Sequence, residues 1–139
     1  MNFDFSDDQK MLKDQAHKFL SERCTPKTVR GVYESGSTYD RALWKQIAEL
    51  GWAGTAIPEQ YGGLGLGYLE LCVIAEELGR ALAPVPFSST IYQFAESVLV
   101  SGSEEQKQRL LPKVAACEII GTLARAEGPG AILPKNIRT

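Results

Sequence analysis

The pair Glu76-Glu77 is the first feature of the sequence that could do chemistry, because adjacent carboxylates can bind a metal or move a proton. A di-iron site in a helical bundle also needs Glu-x-x-His motifs, and the chain has one histidine, His17. Without a Cys-x-x-Cys motif or a second histidine, a zinc site is not expected either. The sequence favours a solvent-facing edge or a structural salt bridge with an arginine, and it predicts no metal site and no catalytic constellation.

A run of glycines at residues 62–67, Gly-Gly-Leu-Gly-Leu-Gly, is the second candidate, since glycine-rich loops can cradle phosphate groups. The run does not follow the GxGxxG pattern, it lacks Gly-Lys-Ser/Thr, and no predicted strand precedes it. We therefore predict a structural turn, in which glycine supplies unusual backbone angles or lets another segment approach closely. A nucleotide-binding loop is the less favoured alternative.

The composition of the 139 residues excludes several functional classes. The 15 Lys and Arg residues are scattered and are outnumbered by 17 Asp and Glu, so nucleic-acid binding is not expected. No apolar run approaches the ~20 residues of a membrane span. The N-terminal residues form no apolar signal region, and three well-separated cysteines fit reduced thiols. Together these features predict a cytoplasmic protein.

Helix signals divide most of the chain into about six helices. Capping boxes begin helices at Ser6 and Ser103, and N-cap signals stand at Thr25-Pro26 and Asp40. The stretch from Tyr68 to Leu82 is apolar nearly all round, which is typical of a central helix covered on most sides. A further helix follows the proline-rich connector at residues 83–86.

We therefore expect an all-α fold, a bundle of about six helices, with a single β-strand over Ile119–Ala124 near the C-terminus. Pro112 should kink or end the last helix. Residues 1–118 are predicted to form the helical domain. Residues 119–139 are predicted to begin a β domain or to form a disordered tail.

Four motifs carry a resemblance to a known family. They are LGWAG at residues 50–54, IPEQYGGLG at 57–65, IAEELGR at 74–80 and GSEEQK at 102–107. In this order and spacing they resemble the N-terminal helical domain of acyl-CoA dehydrogenases. Residues 118–127 resemble the first strand of that family's β domain. The resemblance runs from about Phe3 to Glu127.

The resemblance implies an FAD-dependent oxidoreductase that introduces a double bond between the α and β carbons of an acyl-CoA thioester and passes electrons to an electron-transfer flavoprotein. The family adds a β domain and a C-terminal four-helix domain, which supply the glutamate base and most flavin contacts. We therefore expect this part to be inactive alone. A non-catalytic helical subunit that docks on a partner carrying the flavin and base is the alternative, as is self-association of an exposed apolar face.

The resemblance also places site residues. Leu123, Arg125 and Ala126 would lie near the flavin edge if the strand formed, although Ala126 stands where the family usually has a threonine. The floor of the acyl pocket would be lined by the connector and the helix after it, at Val85, Ser88, Ser89 and Tyr92. Small residues there leave room for a long or wide acyl group. Ordinary helix packing explains these four residues equally well.

Overall fold

The computed structural model describes residues 4–124 and residue 126. The all-α prediction is confirmed over these residues, which form six α-helices and no strand. A π-helix runs directly into the fifth α-helix, and two short 3-10 helices lie between the third and fourth. The helices are α1 (Asp7–Arg23), α2 (Pro26–Glu34), α3 (Arg41–Glu49), the 3-10 helices Trp52–Gly54 and Glu59–Tyr61, α4 (Tyr68–Arg80), the π-helix Ser88–Ala95, α5 (Glu96–Ser101) and α6 (Glu104–Ala115).

The helices begin where the sequence places their caps. The Ser6 hydroxyl accepts the backbone N–H of Gln9 at 3.2 Å, and the Gln9 side chain accepts the N–H of Ser6 at 3.0 Å. The same reciprocal pair forms between Ser103 and Gln106 at the start of α6. Each box satisfies backbone donors that a helix N-terminus otherwise leaves without partners.

The core draws buried residues from α1, α3, α4, the π-helix and α6, and from the 3-10 turn after α3. Leu20 and Ile47 are fully buried, and Ile74 of α4 is buried beside them. The rings of Phe19 and Trp52 meet edge to face with their centroids 5.5 Å apart. Such a pair contributes about 0.5–1.5 kcal/mol beyond the area that it buries.

One side of α4 is uncovered in the described part of the chain. Its inner residues Leu71, Ile74 and Leu78 are buried, as a central helix requires. Tyr68 and Leu69, by contrast, are largely exposed at its N-terminal end. The described residues therefore cover α4 less completely than the sequence predicts.

The predicted strand over Ile119–Ala124 is wrong, because these residues have no regular secondary structure. A strand needs a neighbour that pairs its backbone groups, and none of the described residues forms one. The segment instead crosses the π-helix, with Ile119 packed against the core. The division at residue 118 into a helical domain and a β domain or tail stays a prediction.

Pro112 neither ends α6 nor removes its last turn, since the helix continues to Ala115. A proline inside a helix deprives one carbonyl, here that of Gln108, of its N–H donor. The following turn closes normally, and the N–H of Ala116 donates to the Pro112 carbonyl at 3.0 Å. The cost of the missing hydrogen bond is offset by packing, because Leu111 and Val114 on either side are fully buried.

Candidate functional site

An open groove of about 610 Å³ runs along the π-helix and α5. The π-helix contributes Tyr92 and Gln93, and the segment after α6 contributes Leu123. Tyr92 is 38% exposed, and Leu123 lines the same groove. The remaining wall comes from four residues of α5: Glu96, Ser97, Val100 and Ser101.

Tyr92 is held at the groove by a chain of rings. Its ring meets Phe87 edge to face at 5.5 Å, and Phe87 meets Trp44 of α3 at 6.4 Å. Burial, with a smaller effect of the nearby Cys72 in the same direction, raises the pKa of Tyr92 to about 12. The phenol therefore stays protonated at neutral pH and can act only as a neutral hydrogen-bonding group.

The polar end of the groove is a pair that joins α4 to α5. The Tyr68 hydroxyl donates to the Glu96 carboxylate, 2.9 Å from Oε1 and 3.1 Å from Oε2. This hydrogen bond to Glu96, with some desolvation, raises the pKa of Tyr68. Sequence reasoning missed the pair, because its members are 28 positions apart and neither belongs to a motif.

The uncovered side of α4 and the groove lie on the same side of the molecule, because Tyr68 reaches Glu96 and Cys72 acts electrostatically on Tyr92. We call this surface the open face. Its exposed apolar and thiol side chains are those of Tyr68, Leu69, Cys72, Tyr92, Val100 and Leu123, and the polar side chains of the groove lie on the same surface.

The predicted site residues are only partly brought together. Tyr92 and Leu123, predicted for the acyl pocket and the flavin edge, line the same groove. Val85 is half-buried and packs against the core. The Ser89 hydroxyl donates to the Pro86 carbonyl at 3.3 Å, and Ser88 is exposed. Ala126 is exposed, and Arg125 lies outside the described residues.

The carboxylates of α4 are used in a line of side-chain contacts to α1, which we call the polar seam. Gln9 Nε2 donates to Glu70 at 2.8 Å, and Lys13 Nζ donates to Glu76 at 2.8 Å. His17 Nδ1 lies 3.1 Å from Glu77 Oε2. The α1 members are four residues apart and so share one face of the helix.

Glu77 is the buried member of the polar seam, with a side chain only 2% exposed. Arg80 Nε donates to Glu77 Oε2 at 2.8 Å, which confirms the salt bridge with an arginine. Glu76 is half exposed, as a solvent-facing edge requires. Within residues 4–124 and 126, no group of His, Cys, Asp and Glu is placed to hold a metal ion.

The glycine-rich loop is a structural turn, as predicted. A Cβ on Gly63 would collide with the Ile57 carbonyl, and Gly62 and Gly65 have φ of +79° and +63°. The N–H groups that a phosphate would need are already used within the loop. Leu64 N–H donates to the Gly54 carbonyl at 2.8 Å, and Gly65 N–H to that of Ile57 at 2.9 Å.

Comparison with known proteins connects this geometry to a family. Residues 6–118 match the model described as acyl-CoA dehydrogenase, N-terminal domain. The chain is 37% identical over 124 residues to mitochondrial isovaleryl-CoA dehydrogenase from Pongo abelii. The match covers 88% of this chain and 29% of that protein. The chain thus spans less than a third of that relative's length. None of the helices over the described residues is long and apolar enough to cross a membrane.

Solved structures are similar in the same region. A chain of the ChsE4–ChsE5 complex from Mycobacterium tuberculosis superposes with a TM-score of 0.83 and 28% identity, over 94% of this chain and 36% of the other. An acyl-CoA dehydrogenase complexed with FAD from Bacillus anthracis gives a TM-score of 0.72 and 30% identity, over 83% of this chain and 20% of the other.

Proposed function

This chain belongs to the acyl-CoA dehydrogenase family, as that family's N-terminal helical domain, and we propose that it forms one wall of an FAD-dependent enzyme acting on an acyl-CoA thioester. The reaction removes hydrogen from the α and β carbons of the acyl group, and bound FAD supplies the hydride acceptor. The proposal includes the family's glutamate base, which this chain does not supply. The chain alone is therefore inactive.

The observation that carries the proposal is the open face. Monomeric proteins rarely leave a contiguous apolar surface uncovered unless it binds something. Here the groove has an apolar part, formed by Tyr92, Val100 and Leu123, beside the polar side chains of the π-helix and α5, among which Glu96 accepts from Tyr68. An acyl chain fits such a groove, because an apolar wall excludes water without competing for hydrogen bonds.

The residues proposed for the pocket floor have distinct roles. Tyr92 would contact the acyl chain, since it lines the groove and its phenol stays neutral. Ser88 and Ser89 lie one helical turn nearer the connector, where small side chains would leave room for a long or wide acyl group. Val85 would support this end of the helix through its packing against the core.

The described residues fit FAD at one edge only. Leu123 and Ala126 offer an apolar surface, and the backbone groups of Thr122 and Leu123 form no hydrogen bond among the described residues. These groups suit the edge of a flavin ring. The groove's charged side chain is the carboxylate of Glu96, which would repel a pyrophosphate. We propose that the remainder of the enzyme holds the rest of FAD.

The partners follow from the same proposal. The open face would be covered by the β and C-terminal domains of the enzyme, in a homo-oligomer or in a complex. The reduced enzyme would pass its electrons to an electron-transfer flavoprotein. The acyl-CoA substrate would bind between this chain and those domains.

A spectrum of the isolated chain tests the proposal that this chain has no activity on its own. The purified chain is mixed with excess FAD and desalted, and its flavin absorbance, its circular dichroism and its reduction of a dye with an acyl-CoA panel are measured. We expect a folded, colourless protein without dye reduction. A retained flavin band near one per chain, together with acyl-CoA dehydrogenation, would overturn it.

A chimera tests the proposal that this chain forms one wall of an FAD-dependent enzyme. Residues 6–118 of this chain replace the matching segment of the isovaleryl-CoA dehydrogenase from Pongo abelii, and the unmodified relative is the control. We expect the chimera to retain FAD and to reduce the dye with at least one acyl-CoA. A folded chimera that carries FAD and the relative's oligomeric state but acts on no member of the panel would count against the proposal.

A second candidate function is supported by the similarity to a chain of the ChsE4–ChsE5 complex, whose name joins two different proteins. In this alternative the chain is a non-catalytic subunit that docks its open face on a partner carrying the flavin and base. Size-exclusion chromatography with and without candidate partners separates the two. A stable monomer in the presence of every candidate would count against the docking subunit.

A further inference from the structure

The segment after α6 is fixed to the π-helix at one point, between Thr90 and Gly121. Thr90 is fully buried in the middle of the π-helix. The Gly121 N–H donates to Thr90 Oγ1 at 3.3 Å, and the Thr90 hydroxyl lies 3.5 Å from the Gly121 carbonyl. The Thr90 hydroxyl thus contacts both the N–H and the carbonyl of Gly121.

Gly121 is required by close approach rather than by its backbone angles. Its φ is not in the left-handed region, yet a Cβ built on it would fall within the ring of Phe94. Phe94 is four residues after Thr90, so the two side chains contact the same residue of the segment. We call the three residues the clamp.

The clamp and the groove use different residues of the same helix. Thr90 and Phe94 hold the segment, whereas Tyr92 and Gln93 line the groove. A π-helix spaces its side chains differently from an α-helix, and insertions of this type recur at functional sites. The segment returns to the groove two residues later, at Leu123.

No hydrogen bond among the described residues fixes Leu123 directly. The backbone groups of Thr122 and Leu123 form no hydrogen bonds there, and the Leu123 side chain is half exposed. The hydrogen-bonded point of the segment nearest to Leu123 is the clamp, two residues away, and Ile119, two residues before Gly121, packs against the core.

We propose that Thr90 and Gly121 are positioning residues that set the width of the groove between Tyr92 and Leu123, and so the acyl groups that it accepts. This inference rests on the proposed function for the identity of the ligand. The inference about the position of Leu123 is independent of the proposed function, because the clamp acts on Leu123 with or without a ligand.

The test uses the full chain and four variants. Thr90→Val removes the hydroxyl and keeps the shape, and Thr90→Ser restores the hydroxyl. Gly121→Ala pushes the segment off Phe94, and Gly79→Ala, at a helical glycine with open space around it, is its matched control. Circular dichroism confirms that each variant is folded before it is compared.

Two readouts are taken by NMR. The first is the nuclear Overhauser effect between the Leu123 methyl groups and the Tyr92 ring, measured without ligand. The second is the ratio of dissociation constants for butyryl-CoA and octanoyl-CoA. We expect Thr90→Val and Gly121→Ala to abolish the Overhauser effect and to change the ratio by roughly tenfold, the effect of gaining or losing room for a methylene. Thr90→Ser and Gly79→Ala should match the wild type.

The outcomes separate the two proposals. An unchanged Overhauser effect between Leu123 and Tyr92 in Thr90→Val and Gly121→Ala would overturn the clamp, whatever binds. If the effect disappears while the ratio of dissociation constants stays the same, the clamp has no role in ligand selection and is a structural anchor. If the wild type binds neither thioester, acyl binding by this chain alone fails, while the Overhauser effect still decides whether the clamp positions Leu123.

Discussion

The ion pair between Glu77 and Arg80 gives the sharpest test of the energetics. Its two members differ in exposure, since the Glu77 side chain is 2% exposed and that of Arg80 is 44% exposed. Removing one member leaves the other without its partner, and the cost depends on whether water can reach the charge that remains. We compare Arg80→Ala, which leaves the buried carboxylate, with Glu77→Gln, which leaves the accessible guanidinium.

The magnitudes follow from this asymmetry. Arg80→Ala leaves a buried charge near which half-exposed His17 remains, 3.1 Å from Glu77 Oε2, and on which Lys13 still acts electrostatically. Breaking a buried pair in this way costs about 3–5 kcal/mol, and we expect the lower end, about 3 kcal/mol, because His17 remains. Glu77→Gln keeps the shape of the side chain and loses charge-assisted hydrogen bonds, which costs about 1–2 kcal/mol. The double variant should recover about 1 kcal/mol relative to Arg80→Ala.

The assay is urea unfolding followed by circular dichroism, with thermal unfolding as a second measure. For a chain of this size, 1 kcal/mol corresponds to a shift in Tm of about 3–5 °C. Glu49→Gln is the control, because it breaks the exposed Lys45–Glu49 pair at 3.9 Å and should cost at most about 0.5 kcal/mol. The reasoning is refuted if Glu77→Gln costs as much as Arg80→Ala, or if the double variant is less stable than Arg80→Ala.

Three further perturbations test other parts of the structure. Gly63→Ala should lower the free energy of unfolding by about 3 kcal/mol, because the new Cβ meets a backbone carbonyl that cannot move freely. Gly31→Ala, in open space on α2, should raise the free energy of unfolding by about 0.5–1 kcal/mol. Chemical unfolding of both variants measures these changes. Ser103→Ala should cost about 1 kcal/mol in the same assay through the missing capping box, and an unchanged stability would contradict the cap assignment. Tyr92, whose pKa burial raises from 10.0 to about 12, contributes stability that is complete below pH 10 and is lost as pH rises to about 12. Tyr92→Phe should remove this loss from the unfolding free energy measured between pH 9 and 12, and an identical pH dependence in both proteins would show that the phenol is not responsible.

The helices were predictable because their signals are local. Ser6 and Ser103 begin helices through contacts with residues three positions away, and the sequence shows both partners. The strand at Ile119–Ala124 was not predictable in the same way. A strand depends on a neighbour, and β-leaning residues do not reveal whether one is present.

In the candidate site, too, some residues could be predicted from the sequence and others could not. The family resemblance predicts Tyr92 and Leu123 as site residues, and both line one groove in the structure. The pair of Tyr68 and Glu96 and the clamp at Gly121 were not found. Each depends on residues brought together from distant positions, and the sequence carries no local signal for the π-helix to which Thr90 and Phe94 of the clamp belong.

The polar seam accounts for the carboxylates of α4 by structural contacts. Glu70, Glu76 and Glu77 each contact a partner on α1, and Glu77 is bonded to Arg80 as well. These contacts hold the three carboxylate groups in place against α1. The seam therefore fixes α4 against α1 on one side. Tyr68 and Cys72 lie on another side of α4, where they contribute to the open face.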